Sequence, residues 1–276
     1  MPIESDSGKV RRSMARHASR LDYGIDAPGV IRNLFIVVAL GLVAWATAFL
    51  GLWSGRIVVA PSQNIRIDFP LSRMGLWMAA GCGAMACWML WDSKVGKVRD
   101  RERLLDKLTW LGEEQVLDVG CGRGLLLVGA AKRLTAGMAT GIDIWQAEDL
   151  SGNRPEATLQ NASLEGVGDR VQVKSADMRE IPFPAGTFDI VVSCSAIHNL
   201  YSAVEREKAL IEIVRVLKPN GQMLIDDIRH YREYRRVLSA QGCSISRVSS
   251  LVPAVLLAVL TMGSLCPATL LARKTA

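Results

Sequence analysis

Apolar and polar positions divide this chain into two regimes. Residues 33–55 carry no charge, and neither do residues 74–91. From residue 111 onward the pattern changes to short apolar runs alternating with stretches of helical period. Strands are predicted over 116–119, 138–143, 171–174, 188–194 and 222–228, with helices over 125–134, 154–165 and 205–217. Lys218-Pro219-Asn220-Gly221 reads as a turn, punctuated by its proline and glycine. This alternation predicts an α/β fold with a mostly parallel sheet and a ligand at the carboxyl ends of its strands.

The two uncharged runs are long enough to span a bilayer. At ~1.5 Å per residue they reach about 34 and 27 Å, against a hydrocarbon core of ~30 Å. Trp45, Trp53, Trp77, Trp88 and Trp91 lie within them, several near the ends, as interfacial anchors do. A pair of buried core helices would keep a polar face, and these runs have none. A two-helix transmembrane hairpin is therefore predicted. Lys9, Arg11, Arg12, Arg16, Arg20 and Arg32 precede the first run, and Lys94, Lys97, Arg99, Arg101, Arg103 and Lys107 follow the second. The loop between them, 56–73, holds only Arg56, Arg66 and Arg73. The positive-inside bias puts the N-terminus and everything after the hairpin in the cytoplasm, in a multi-pass membrane protein. The first run starts too late and is too long for a cleaved signal peptide.

The expected organisation is a cytoplasmic N-terminal segment (1–32), the hairpin (33–91), an amphipathic linker helix (92–110) and a catalytic domain (111–276). The formal charge is +6, which invites a nucleic-acid reading. Its location argues otherwise. Residues 1–110 hold 15 Lys/Arg against 9 Asp/Glu, and residues 111–276 hold 18 of each. The domain carries no net basic excess, so no nucleic-acid partner is expected. The six cysteines and three histidines show no metal-ligand spacing, and no metal is expected.

Candidate chemistry centres on Val116-Leu117-Asp118-Val119-Gly120-Cys121-Gly122-Arg123-Gly124. A buried strand runs into G-x-G-x-G, where the chain must turn sharply and a ligand must reach bare backbone. Asp143 ends the next strand, at the offset where a nucleotide-binding fold offers a carboxylate to ribose hydroxyls. A dinucleotide fold would use G-x-G-x-x-G. Here Asp118 lies within the strand, where an acid repels phosphate but can orient backbone and hold a cationic ligand. S-adenosylmethionine carries an ammonium and a sulfonium and no phosphate.

At this point the sequence resembles the class I S-adenosylmethionine-dependent methyltransferases of the type 11, UbiE-like group, whose first motif usually reads VLDVGCGTG. Ile181-Pro182-Phe183-Pro184 with Phe188-Asp189 resembles the family's lead-in to strand four, and Val216-Leu217-Lys218-Pro219-Asn220-Gly221 its "vLKPGG". The resemblance covers roughly residues 100–276. It implies a Rossmann-like, doubly wound seven-stranded sheet with the last strand antiparallel, the late strands falling near 244–250 and 268–273. It implies S-adenosylmethionine as cofactor, bound by Asp118, Gly120, Cys121, Gly122, Gly124, Asp143, Ile144, Asp177, Met178 and Ser193, with Asp177 and Met178 meeting adenine. The helix before the first strand would cover part of that cofactor. Arg123 replaces the common Thr or Ser and would disturb a contact to the methionine carboxylate or help pair with it. Asn220 replaces a glycine, and asparagine tolerates positive φ.

Methyl transfer needs a general base only where the acceptor must lose a proton. Ser193, Ser195, His198 and Asn199 follow the fourth strand, and His198 is the candidate catalytic base. Asp226 and Asp227 are adjacent on a strand, so they point to opposite faces and cannot form a dyad. His230, Tyr231 and Tyr234 read as the exposed face of the next helix. The DPPY signature of amine methylation is missing, and so is a Pro-Cys pair for attack on a pyrimidine. The expected function is membrane-anchored methyl transfer to a small hydrophobic or lipid-like acceptor. The alternative is a non-catalytic membrane protein that keeps the fold as a cofactor-sensing or interaction module. Residues 251–267 are strongly apolar, and are read as a long connection packing on membrane, anchor or acceptor in preference to a third transmembrane helix.

Overall fold

In a computed structural model, residues 21–62, 65–250, 255, 257–259, 261–263 and 265–275 are described. The basic residues from Lys9 to Arg20 and much of the apolar connection 251–267 fall outside them. The described chain separates into two compact units.

The first unit, residues 24–97 with 147–151, is a helical hairpin. Helix α1 (Pro28–Phe49) starts on Pro28, whose missing N–H and fixed φ suit a first helical turn. Helix α2 (Leu71–Trp91) returns. The first helix thus begins five residues before the predicted span and ends six before it. The predicted loop between the helices is instead an antiparallel ribbon, β1 (Ile57–Ser62) and β2 (Ile65–Phe69), with Val58 opposite Asp68. In β2, Arg66 and Asp68 alternate with Ile65, Ile67 and Phe69, the two-residue period of a strand. Glycines let the helices touch: a Cβ on Gly41 would lie 2.3 Å from the Gly75 carbonyl oxygen. Both helices are long and apolar enough to cross a membrane, and only 11% of each apolar window is buried. Phe35, Leu40, Val43, Trp77 and Trp88 are exposed.

Of the predicted linker helix 92–110, Asp92–Gly96 forms a π-helical turn and Lys97–Leu105 forms α3. The second unit holds the sheet. Strands β3 (Gln115–Val119), β4 (Met138–Asp143), β5 (Val171–Ser175), β6 (Phe188–Cys194) and β7 (Leu217–Asp227) are parallel. Strands β8 (Cys243–Arg247) and β9 (Ala268–Lys274) complete the order β5-β4-β3-β6-β7-β9-β8, with β9 antiparallel to both neighbours. The predicted turn 218–221 is absorbed into β7. Its register against β6 shifts between Phe188 and Ile190, and Asn220 takes φ 63° there.

The two-residue period of the strands builds a core on each face. Val116, Ile190, Val192 and Leu224 pack with Leu126 and Leu127 of α4 (Leu125–Ala131) and with Ala162 of α5 (Pro155–Leu164). Their neighbours Leu117, Val191, Met223 and Ile225 pack on the other side. There they meet Leu210 and Ile213 of α6 (Ala203–Val216) and Tyr234 and Leu238 of α7 (Tyr231–Ala240). Helix α6 starts before its predicted bound because Ser202 and Glu205 form a capping box. The chain winds outward from β3 in both directions, so the carboxyl ends of β3 and β6 flank the switch point where such folds bind ligands.

Candidate functional site

The glycine loop between β3 and α4 lies at that switch point. Gly120, Gly122 and Gly124 have φ of 73°, 51° and 86°. Gly120 is required twice over, because a Cβ there would fall 2.3 Å from the Ala196 Cβ. Gly120→Ala is expected to cost about 2–4 kcal/mol from overpacking and left-handed strain, and Ala196→Gly to recover part of that loss. Chemical denaturation of the single and double variants checks it; a non-additive pair is the expected result.

Neighbouring elements hold the loop from outside. The N–H groups of Gly120 and Cys121 donate to the Ile142 carbonyl at 2.9 and 3.0 Å. On α5, the Thr158 hydroxyl donates to Gly122 O at 2.7 Å and the Asn161 amide to Arg123 O at 2.9 Å. Asp143 accepts from Gly122 N–H at 2.8 Å, from Trp145 N–H at 2.6 Å and from Asn153 Nδ2 at 3.2 Å. An ionised carboxylate has about four acceptor sites, so these donors leave capacity at its rim. Next to it, the Asn153 carbonyl oxygen is buried with no hydrogen-bond partner among the described residues. Bare glycine backbone, an acidic residue at the β4 end and an unpaired acceptor beside it suit a nucleoside with free ribose hydroxyls. S-adenosylmethionine fits this donor set.

Several predicted contacts act beneath the loop instead of facing the ligand. Asp118 is fully buried and accepts from Leu127 N–H. Burial first, and the nearby Asp143 charge, push its carboxyl up to about 8. Asp118 therefore anchors the start of α4 and does not offer a charge to a cationic ligand. The Ser193 hydroxyl is likewise buried and donates to Val119 O at 2.8 Å, tying β6 to β3. The Cys121 side chain packs inward against Gly141, with its thiol pushed up by burial. Ile144 is exposed at the β4 end, and the Met178 methyl lies near Gly120. Asp177 is chelated by Arg179 at 2.6 to 3.0 Å, and Arg179 also pairs with Glu205. Those hydrogen bonds hold the Asp177 carboxyl below its usual range.

At the ends of β6 and β7 the structure assembles a cluster that the sequence does not announce. His198 sits in a short 3₁₀ turn, Ile197–Asn199, and its Nδ1 lies 2.5 Å from the Asp227 carboxylate. Asp227 is buried and also accepts from His198 N–H at 3.1 Å, Ile228 N–H at 2.8 Å and the Tyr234 hydroxyl at 3.0 Å. Donors converging on one carboxylate make Nδ1 the proton-bearing nitrogen and leave Nε2 as an acceptor. Tyr234 is a correction to the exposed face expected for its helix: it is buried, and burial followed by Asp227 raises its hydroxyl pKa. Asp226 faces away, as the strand alternation requires, and accepts from Thr269 at 2.5 Å.

A second unforeseen feature is the segment around Asp22 and Tyr23. Asp22 exchanges main-chain hydrogen bonds with the Asn161 side chain and pairs with Arg123 at 3.2 Å. Arg123 is thus engaged by Asp22. Tyr23 is buried and bonds Glu165, which also receives Arg101 and Lys132, each at 2.7 Å. Burial alone would raise the Glu165 carboxyl, but those three hydrogen bonds outweigh it and bring it down to about 2. A depressed folded value contributes stability above the unfolded pKa and loses it as pH falls through the folded one. Roughly 3 kcal/mol is therefore expected above pH ~4.5 and to fade toward pH ~2. Denaturation of Glu165→Gln against the native chain should show a wide gap at neutral pH that closes in acid.

Residues 117–225 match a family model described as a methyltransferase domain. The chain is 30% identical over 131 residues to the sterol 4-C-methyltransferase strm-1 of Caenorhabditis elegans, covering 48% of this chain and 36% of that protein. It is 29% identical over 126 residues to the ubiquinone/menaquinone biosynthesis C-methyltransferase UbiE of Geotalea daltonii, covering 45% and 50%. The chain therefore spans about half or less of these relatives. Among solved structures, the [4+2]-cyclase SpnF superposes with a TM-score of 0.52 at 21% identity, covering 65% of this chain and 81% of that one. That likeness shows the fold alone.

Proposed function

We propose that this chain, whose residues 117–225 match a methyltransferase-domain model, is a membrane-anchored, S-adenosylmethionine-dependent methyltransferase acting on a small hydrophobic or lipid-like acceptor. The observation that carries this reading is the glycine cradle at the β3–β6 switch point, with Asp143 on one side and His198 on the other. S-adenosylmethionine supplies a methyl group already activated on a sulfonium when bound. The protein's own task is then to align an acceptor and exclude water. Gly120 and Gly122 offer bare backbone, Asp143 takes ribose hydroxyls, and Met178 and Ile144 offer apolar surface to the base. His198 Nε2 accepts the proton that a hydroxyl acceptor must lose, and Asp227 holds the imidazole in the tautomer that makes this possible.

The two largely exposed apolar helices support the anchor, and the basic flanks of the hairpin support a cytoplasmic catalytic unit. Sterol and quinone methylation by the relatives named above favours an acceptor that partitions into membrane. The deciding experiment measures S-adenosylmethionine binding by calorimetry, then release of S-adenosylhomocysteine with fractionated membrane lipids. Turnover confined to a lipid fraction supports the proposal. Turnover with soluble acceptors alone rejects the lipid-like acceptor, and binding with no turnover on any fraction favours a cofactor-sensing module.

A further inference from the structure

We infer that the sheet-bearing unit has its own membrane-docking surface, separate from the hairpin, formed by an arginine face on α7 and the exposed apolar residues Val255, Val259 and Met262 between β8 and β9, and that it fits an anionic phospholipid bilayer. The inference extends the proposed reaction of a membrane-partitioned acceptor, but the geometry that carries it is independent of that chemistry.

Register places the connection. Asp227, at the carboxyl end of β7, pairs with Ala268 at the start of β9, and Arg247, at the end of β8, pairs with Leu270. Residues 248–267 therefore leave and rejoin the sheet at the edge where His198 and Asp227 lie. They contain no charged residue. Val255 is 56%, Val259 71% and Met262 96% exposed, an apolar display that a water-facing loop would not keep. On the same edge Tyr201 is 98% exposed.

The arginines start from the same corner. Cys266 N–H donates to Ile228 O at 2.8 Å, so the base of the connection is tied to the turn that opens α7. Arg247 donates to Pro267 O at 3.0 Å and lies over the Tyr231 ring at 5.0 Å. Arg229, Arg232, Arg235 and Arg236 extend from that turn along the exposed side of α7. Among the described residues the side chain of none of the four has an ion pair or hydrogen bond, while the main chain of the last three belongs to α7. Glu233, the acid within the helix, is committed to Arg206 at 2.8 Å. Exposed Val255, Val259 and Met262 together with arginines whose side chains have no partner are the pattern of an interfacial surface, acyl chains taking one part and headgroup phosphates the other. Docking there would set the mouth of the site on the leaflet.

The test is hydrogen–deuterium exchange on the full chain in nanodiscs of phosphatidylcholine, with and without phosphatidylglycerol. Each arginine held near an anionic surface strengthens binding about fivefold, so exchange over 229–240 and 255–263 should slow by at least that factor only in the anionic discs. Joint replacement Arg232→Glu, Arg235→Glu and Arg236→Glu should abolish the difference while S-adenosylmethionine binding persists. Equal exchange in both discs overturns the inference, and so does slowing by a duplex oligonucleotide with none from the bilayer. Exchange over 28–49 in the same samples reports on the hairpin, and the binding measurement reports on the cofactor site. A failure of either is thereby kept apart from a failure here.

Discussion

Asp143→Ala is expected to weaken S-adenosylmethionine binding by about 100-fold or more, read by calorimetry on the detergent-solubilised chain. A hydrogen bond to a charged group contributes about 1.5–3 kcal/mol, and a factor of ten corresponds to about 1.4 kcal/mol, so loss of two ribose contacts exceeds two orders of magnitude. The same substitution removes the acceptor for Gly122 N–H, which lies 2.8 Å from the carboxylate, so the cradle itself loosens. Asp143→Asn separates the two effects. The amide keeps one acceptor for the loop, loses the charge, and should bind with intermediate affinity. Native affinity in the alanine variant would remove the cofactor site from the place assigned to it.

His198→Ala is expected to lower kcat by about 10²–10⁴ with S-adenosylmethionine affinity unchanged, the signature of a lost base and not of a lost binding contact. Asp227→Asn should fall in the same direction. The asparagine offers Nδ1 a weaker acceptor and can present its own N–H, which favours the other tautomer. Tyr234→Phe removes one of the donors that fix Asp227 and should have the smallest effect of the three. All are measured at saturating cofactor with the active lipid fraction, with folding checked by the thermal midpoint. An undiminished kcat in His198→Ala would mean that the acceptor keeps no proton to lose, and that His198 only caps its turn.

The contrast between these two sites shows what is local and what is not. The placement of Asp143 beside the glycine loop was legible because one strand and one loop define it, where backbone requirements leave direct marks on residue type. Strand β6 begins and ends where its apolar alternation does, and β4 likewise. Asn220 stands where a positive φ is required, and the sequence shows that too. The partner of His198 was not legible. Asp227 lies 29 positions away, and it arrives only because β6 and β7 pair with Cys194 opposite Asp226. Tyr234 looked exposed because its helix is rich in arginine, yet the face that packs on the sheet is set by how the helix docks.

By itself, then, the sequence determined the α/β class, the glycine loop after β3 and the two uncharged runs on which the long helices are built, since hydrophobic period and glycine placement follow from local backbone geometry. Only the tertiary structure decided which buried carboxyls serve the loop and which serve the site. It also decided that Asp22 and Tyr23 dock on the sheet-bearing unit and that Cys266, at the base of the apolar connection, is tied to the turn that opens α7. Those outcomes depend on strand order and register, which bring distant residues together by pairing and burial. No pattern along the chain records them.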